Sequence, residues 1–281
     1  METSVPGLTV HRHASGEQGI FANAYLIETA NGVVAVDGTL TVTESRAFRQ
    51  RANALRKPLL GVLITHPHPD HVAGIANLVS SPDVPIVTLP SVEKLMRAIE
   101  VPKRAQWEPI FRDEWIPRWT YPNQLISDRE SVTFDGISCR VTDMGAGGDC
   151  DANAMWSVET SPRIAFVGDL VFNGPHSYLA DGKILAWLAN LERGDVLLAD
   201  VPRLYPGHGQ PGSSELLARQ CEYLLAYCAI VKDLADGRPV MTDAAKKELT
   251  TRMRRLRPDA GLTFLIAQSA DAVATDLAAA S

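Results

Sequence analysis

Thr65-His66-Pro67-His68-Pro69-Asp70-His71 follows directly on the apolar run Leu59-Leu60-Gly61-Val62-Leu63-Ile64 and decides how the chain is read. The run starts after Pro58 and is rich in branched residues, which predicts a short buried strand with the histidines emerging at its end. Pro67 and Pro69 fix their own φ and push the residues before them out of the helical region. The segment is therefore a stiff, extended turn that aims side chains around a point. Three of the chain's seven histidines stand in it, with one aspartate. Neutral imidazoles and a carboxylate at a strand end suit a borderline-soft divalent ion such as zinc. A polar turn that happens to be rich in Pro and His is the plainer reading; the metal site is the one adopted.

Four further stretches flank the turn. Upstream lie Ala24-Tyr25-Leu26-Ile27 and Val33-Val34-Ala35-Val36-Asp37-Gly38; downstream lie Ile164-Ala165-Phe166-Val167-Gly168-Asp169 and Tyr205-Pro206-Gly207-His208-Gly209. Taken in order over about residues 20–215, they resemble the metallo-β-lactamase fold of metal-dependent hydrolases, whose signature after a strand is H-x-H-x-D-H. The resemblance implies an α/β chain folded as a four-layered αββα sandwich. It places His66 and His68 on a first metal, Asp70, His71 and His208 on a second, and Asp169 between the two. On their own, Asp169 also reads as a helix cap and His208 as a loop residue. Zinc is the expected cofactor, as one or two ions, with iron or manganese as alternatives.

The resemblance breaks at one place. The usual third histidine of the first metal stands in a G-x-G-H loop, but here the loop reads Gly145-Ala146-Gly147-Gly148-Asp149-Cys150-Asp151, with Gly148 at the histidine's position. Asp149, one residue along, offers a carboxylate in its place, ahead of Asp151 and Cys150. A Gly148→His exchange is expected to restore the family's ligand set.

Residues 91–124 interrupt an otherwise alternating strand and helix pattern. They hold Trp107, Trp115 and Trp119, with Phe111, Tyr121 and four prolines, and read as a helical insertion. Trp115 and Trp119 are taken as substrate-binding, since aromatics supply contact area at low entropy cost; the alternative is that they anchor the insertion to the core. After Asp169 comes Asn173-Gly174-Pro175-His176-Ser177-Tyr178-Leu179, which resembles a segment of one branch of the family. It suggests His176 and Tyr178 as substrate-binding residues. His176, with Asp70, is also a catalytic candidate, and His176 is a further candidate for the missing ligand. His11-Arg12-His13 repeats the H-x-H spacing without a carboxylate neighbour and reads as a solvated strand.

The 281 residues, 46% hydrophobic and 21% charged, describe an ordinary globular chain. We expect a catalytic domain over residues 1–236 and a C-terminal helical extension over 237–281, whose last helix packs on the domain or on a second copy in a homodimer. A net charge of −6 gives no electrostatic reason to bind nucleic acid. No apolar run approaches membrane-spanning length, and the N-terminus has no signal-like pattern, so no membrane association and a cytoplasmic location are expected. Cys139, Cys150, Cys221 and Cys228 form no C-x-x-C pair and fit reduced thiols.

Together these features predict a metal-dependent hydrolase. Metal-bound hydroxide would attack the carbonyl of a small ester, thioester, lactone or amide. A mononuclear iron dioxygenase and a non-catalytic metal-binding protein are the alternatives, and the metal content discriminates between them.

Overall fold

The computed structural model describes residues 2–5, 7–181 and 183–280. Its architecture is the four-layered αββα sandwich. The first sheet is ordered β1 (Glu2–Val5), β2 (Leu8–Ala14), β3 (Asn23–Glu28), β4 (Val33–Val36), β5 (Leu59–Leu63), β6 (Ile86–Thr88) and β7 (Gln124–Leu125). Strands β1 to β4 pair antiparallel, and β4 to β7 pair parallel. All four residues of β4 are buried, as expected of a parallel strand covered on both faces. The second sheet follows the order β12 (Arg203–Gly209), β11 (Ile164–Asn173), β10 (Asn153–Val158), β9 (Ile137–Gly145) and β8 (Ser131–Phe134).

The sheets meet through aromatic rings. Phe166 of β11 stacks on Tyr205 of β12 at 4.8 Å, and Tyr25 of β3 meets both edge-on at 5.2 and 5.4 Å. The Tyr25 hydroxyl, buried with them, donates to Pro206 O at 2.6 Å. At the functional end, Trp156 Nε1 donates to Ile64 O at 2.9 Å and Ala154 N donates to Thr65 O at 2.7 Å. These bonds tie β10 to the turn that follows β5.

On the outer face of the first sheet lie helices α1 (Val42–Ala54), α2 (Pro69–Val72), α3 (Ile75–Leu78) and α4 (Pro90–Phe111). The Thr41 side chain caps α1 by accepting from Glu44 N at 3.2 Å. Val72–Val79 reads in the sequence as one helix, but the chain divides it between α2 and α3. The reason is local: Gly74 N donates to Thr39 O at 2.7 Å, outside the helical ladder. The insertion is helical as expected, its main element being the 22-residue α4.

The second sheet is covered by α5 (Ile184–Leu197) and α6 (Glu215–Ala235), with α7 (Asp243–Leu256) and α8 (Phe264–Ala279) packed on these helices. Trp187, Leu224, Leu249 and Ile266 from these helices share one buried cluster with Val167 and Val171 of β11. The basic run on α7 is partly paired: Lys246 meets Asp271 at 2.6 Å, and Arg252 meets Asp233 and Glu248 at 2.6 and 2.8 Å. Among the described residues no helix is long and apolar enough to cross a membrane.

Candidate metal centre

The polar side chains of the site come from strands, a short helix and the loops between them on one edge of the sandwich. The turn after β5 delivers His66 and His68, and α2 delivers Asp70 and His71. The β9–β10 loop brings Asp149, β11 brings Asp169 and β12 brings His208. All seven are buried. His66, His68 and Asp149 place one donor atom each within 4.8 Å of one another, and so do Asp70, His71 and His208. Asp169 lies between the groups, with Oδ2 3.2 Å from His208 Nε2 and 3.8 Å from His66 Nε2, and Oδ1 3.5 Å from His71 Nε2. Close approach here requires glycine: a Cβ at Gly207 would lie 1.8 Å from Asp169 Oδ1.

Each imidazole is held from behind, which settles the nitrogen it presents. Thr65 Oγ1 lies 3.0 Å from His66 Nδ1, leaving Nε2 inward. His71 Nδ1 meets Asp37 Oδ2 at 3.0 Å, and Asp37 also accepts from Thr65 N and Oγ1 at 2.8 and 2.7 Å. His208 Nδ1 meets Ile20 O at 3.1 Å. His68 is reversed, with Asp181 Oδ2 3.0 Å from Nε2 and Asp149 Oδ2 2.6 Å from Nδ1.

The inward-facing atoms test whether a cation fits. His66 Nε2, His71 Nε2, Asp149 Oδ1 and Asp169 Oδ1 are buried without a hydrogen-bond partner among the described residues. An unpartnered buried polar atom is costly, and these four, drawn from the two groups and from Asp169 between them, are available as donors to divalent ions. The electrostatics agree. Burial opposes protonation of His68, yet Asp149 raises it to about 9; burial likewise opposes His208, yet Asp169 raises it to about 9. His71 is driven up against burial by Asp70 and Asp169, whereas burial holds His66 down. Burial lifts Asp169 to about 6, against the pull of His208 and His71. Buried carboxylates thus draw positive charge into this edge of the fold, as protons or as metal.

The β9–β10 loop resolves the departure at Gly148. A Cβ there would stand 2.7 Å from Asn153 Oδ1, so position 148 faces Asn153 and not the cluster. The inward position belongs to Asp149. The expectation that Gly148→His restores a histidine ligand is therefore corrected: the added side chain meets Asn153, which bonds Gly145 O and Cys150 O at 3.0 and 2.9 Å. Cys150 Sγ donates to Ala152 O at 3.3 Å, and Asp151 is exposed.

Above the cluster opens a cavity. His68, Asp70, Asp149, Asp169 and His208 form part of its lining, which is otherwise mostly apolar: Ile20, Leu40, Trp107, Phe111, Phe172, Leu262, Phe264 and Leu265. Tyr178 and Lys103 complete it. The aromatics of the insertion divide. Trp107 and Phe111, one helical turn apart on α4, face the cavity; Trp115 and Trp119 are 3% and 7% exposed in the core cluster and line no part of it. Their expected substrate role is corrected for that reason. His176 is corrected as well. Its ring lies 3.1 Å from the Tyr223 hydroxyl of α6, outside the cavity lining, and burial with Arg257 and Arg254 nearby lowers it to about 4. Its backbone N bonds Gly261 O at 2.9 Å, so this segment seats the loop before α8. His11 and His13 meet Glu28 and Glu44 at 2.8 and 2.9 Å, away from the centre.

Several contributors carry little signal in the sequence. Asp37 is visible only as the Asp-Gly that ends a strand. Asp181, Lys103 and the Leu262–Leu265 stretch have no motif around them and reach the site through tertiary packing.

Residues 18–209 match the family model of the metallo-beta-lactamase superfamily, and the chain belongs to that superfamily. A search among curated protein sequences found no match. Solved structures similar in fold include a metallo-beta-lactamase from Pontibacter korlensis, 18% identical over 80% of this chain and 98% of that one, with a TM-score of 0.61. FIM-1 from Pseudomonas aeruginosa, in its mono-zinc form, is 16% identical over 80% and 95% of the two chains, with a TM-score of 0.60. A metallo-beta-lactamase from Hirschia baltica is 16% identical over 79% and 96%, with a TM-score of 0.58. Superfamily membership and the His/Asp groups support a metal-dependent hydrolase at that level.

Proposed function

We propose that the protein is a hydrolase that cleaves a small ester, thioester, lactone or amide at a two-ion centre. The observation that carries this reading is the convergence of four unpartnered buried donor atoms beneath an apolar cavity. His66 Nε2, His68 Nδ1 and Asp149 would hold one ion; Asp70, His71 and His208 would hold the other; Asp169 would serve both. Bound divalent ions lower the pKa of water to about 7 and polarise a carbonyl oxygen. The chain's own residues supply the rest. Thr65, Asp37 and the Ile20 carbonyl fix the imidazoles before substrate arrives. Trp107, Phe111 and the Leu262–Leu265 stretch bind the apolar part of the substrate and exclude bulk water. Zinc is the proposed ion.

A second reading has one specific observation in its favour. His66, His68 and Asp149 form a two-histidine, one-carboxylate set, the donor combination of non-haem iron oxygenases. Elemental analysis of purified protein, with assays on a panel of esters, thioesters and lactones, separates the two. Zinc with carbonyl hydrolysis supports the first reading. Iron with oxygen uptake and no hydrolysis replaces it by the second, and the absence of bound metal overturns both.

A further inference from the structure

His68 is the imidazole of the centre that is backed by a loop carboxylate reaching the surface. Its Nε2 meets Asp181 Oδ2 at 3.0 Å. Asp181 Oδ1 in turn accepts from the Tyr178 hydroxyl at 3.0 Å, and that hydroxyl accepts from Lys103 Nζ at 3.1 Å. Lys103 Nζ also stands 3.5 Å from Asp181 Oδ1 and 4.8 Å from the centre of the Tyr178 ring, whose face it covers. The donors and acceptors run in one direction. The ammonium donates to the phenol, the phenol to one carboxylate oxygen, and His68 Nε2–H to the other. With its proton on Nε2, His68 turns its Nδ1 lone pair toward the cluster, where Asp149 Oδ2 lies 2.6 Å away. Two acceptors at that distance repel unless a proton or a metal ion lies between them. Lys103, only 7% exposed, belongs to α4, the insertion helix that also carries Trp107 and Phe111 into the cavity wall.

We propose that Asp181 is a positioning residue: held by Tyr178 and Lys103, it locks His68 as an Nδ1 donor and thereby ties the cavity-lining helix α4 to the first metal position. The chain of bonds makes filling that position and seating α4 one event, because both draw on the same carboxylate. This rests on the two-ion reading above but is tested apart from it.

The test uses metal-stripped full-length protein, titrated with zinc ions against a chromophoric chelator, with hydrogen exchange followed on α4. In the unmodified chain two ions should bind, and exchange across α4 should slow as they load. Asp181→Ala should weaken one ion roughly 10- to 100-fold, the usual range for losing the outer partner of a ligating histidine, and leave the other unchanged. Asp181→Asn, which still accepts from His68 through its amide oxygen, should recover part of that loss. Lys103→Met should keep both ions bound while abolishing the metal-dependent protection of α4. Unchanged zinc affinity in Asp181→Ala overturns the proposal, as does equal weakening of both ions in Asp181→Asn. Metal-dependent protection of α4 that persists in Lys103→Met overturns the tie to the helix. If the unmodified chain binds no zinc at all, the two-ion reading itself has failed.

Discussion

The two halves of the candidate centre are built from the same donors, two imidazoles and a carboxylate each, but are held by different kinds of structure. His71 is backed by Asp37 at the end of β4, and His208 by the carbonyl of Ile20 in the loop between β2 and β3. His68 is backed by Asp181 in a loop, and the third donor, Asp149, stands on a glycine-rich turn. The second position thus draws its donors from α2 and β12, and the first from the turn after β5 and the β9–β10 loop. A donor set fixed by main chain and strand ends loses little order on metal binding, while a loop-held set must be ordered as the ion arrives. The second position should therefore bind first and release last.

The sharpest way to break this comparison is to remove one donor from each half. His208→Ala should lower kcat at least roughly a thousandfold while the circular dichroism spectrum is kept, because the group belongs to a unit in which single deletions are severe. Full activity in that variant would remove His208 from the site. Asp149→Ala should reduce the bound zinc from two ions to one, or weaken one ion at least roughly tenfold in a chelator titration. Two ions held as tightly as before would show that Asp149 is no ligand and that the halves do not differ as described.

The insertion offers a second contrast of two regions. Trp115→Ala empties a buried site and should cost about 3–5 kcal/mol in denaturant unfolding, with substrate preference kept. Trp107→Ala should leave stability nearly unchanged and raise KM roughly tenfold for substrates with a large apolar group. The reverse pattern would exchange the assignments of core and wall.

How much of this was legible in the chain follows from where the signal is stored. His66, His68, Asp70 and His71 crowd into one turn whose two prolines dictate its shape, so local sequence reveals both strand end and donors. Asp169 and His208 are legible through the strands that precede them. Asp149 was legible only as one candidate beside Asp151, Cys150 and His176, because a motif counts residues while the backbone decides which one faces in. Asn153, bonded to Gly145 O and Cys150 O, claims the space at Gly148, and no spacing rule contains that contact. Trp115 and Trp119 misled for a related reason: aromatic clustering marks an apolar surface without telling whether a cavity or the core lies against it. His176 has the loop position of a site residue, but Tyr223 on α6, distant in sequence, holds its ring.

A smaller effect concerns pH. In metal-free protein, His68 and His208 rise from 6.5 to about 9 on folding, so their contribution to stability is complete below 6.5 and is lost as pH rises through 9. Metal must displace those protons, so zinc binding strengthens over the same interval. The gap in Tm between loaded and stripped protein should therefore widen from pH 6.5 to 9. A gap that stays constant or narrows would show that these imidazoles are not the groups that exchange protons for metal.

Anomalous X-ray diffraction at the zinc edge, on crystals of the zinc-loaded protein, locates the ions directly. Two peaks are expected. One should lie within bonding distance of His66 Nε2, His68 Nδ1 and an Asp149 oxygen, and the other within bonding distance of Asp70, His71 and His208. Zinc peaks elsewhere, or a first peak whose coordination excludes Asp149, would contradict it.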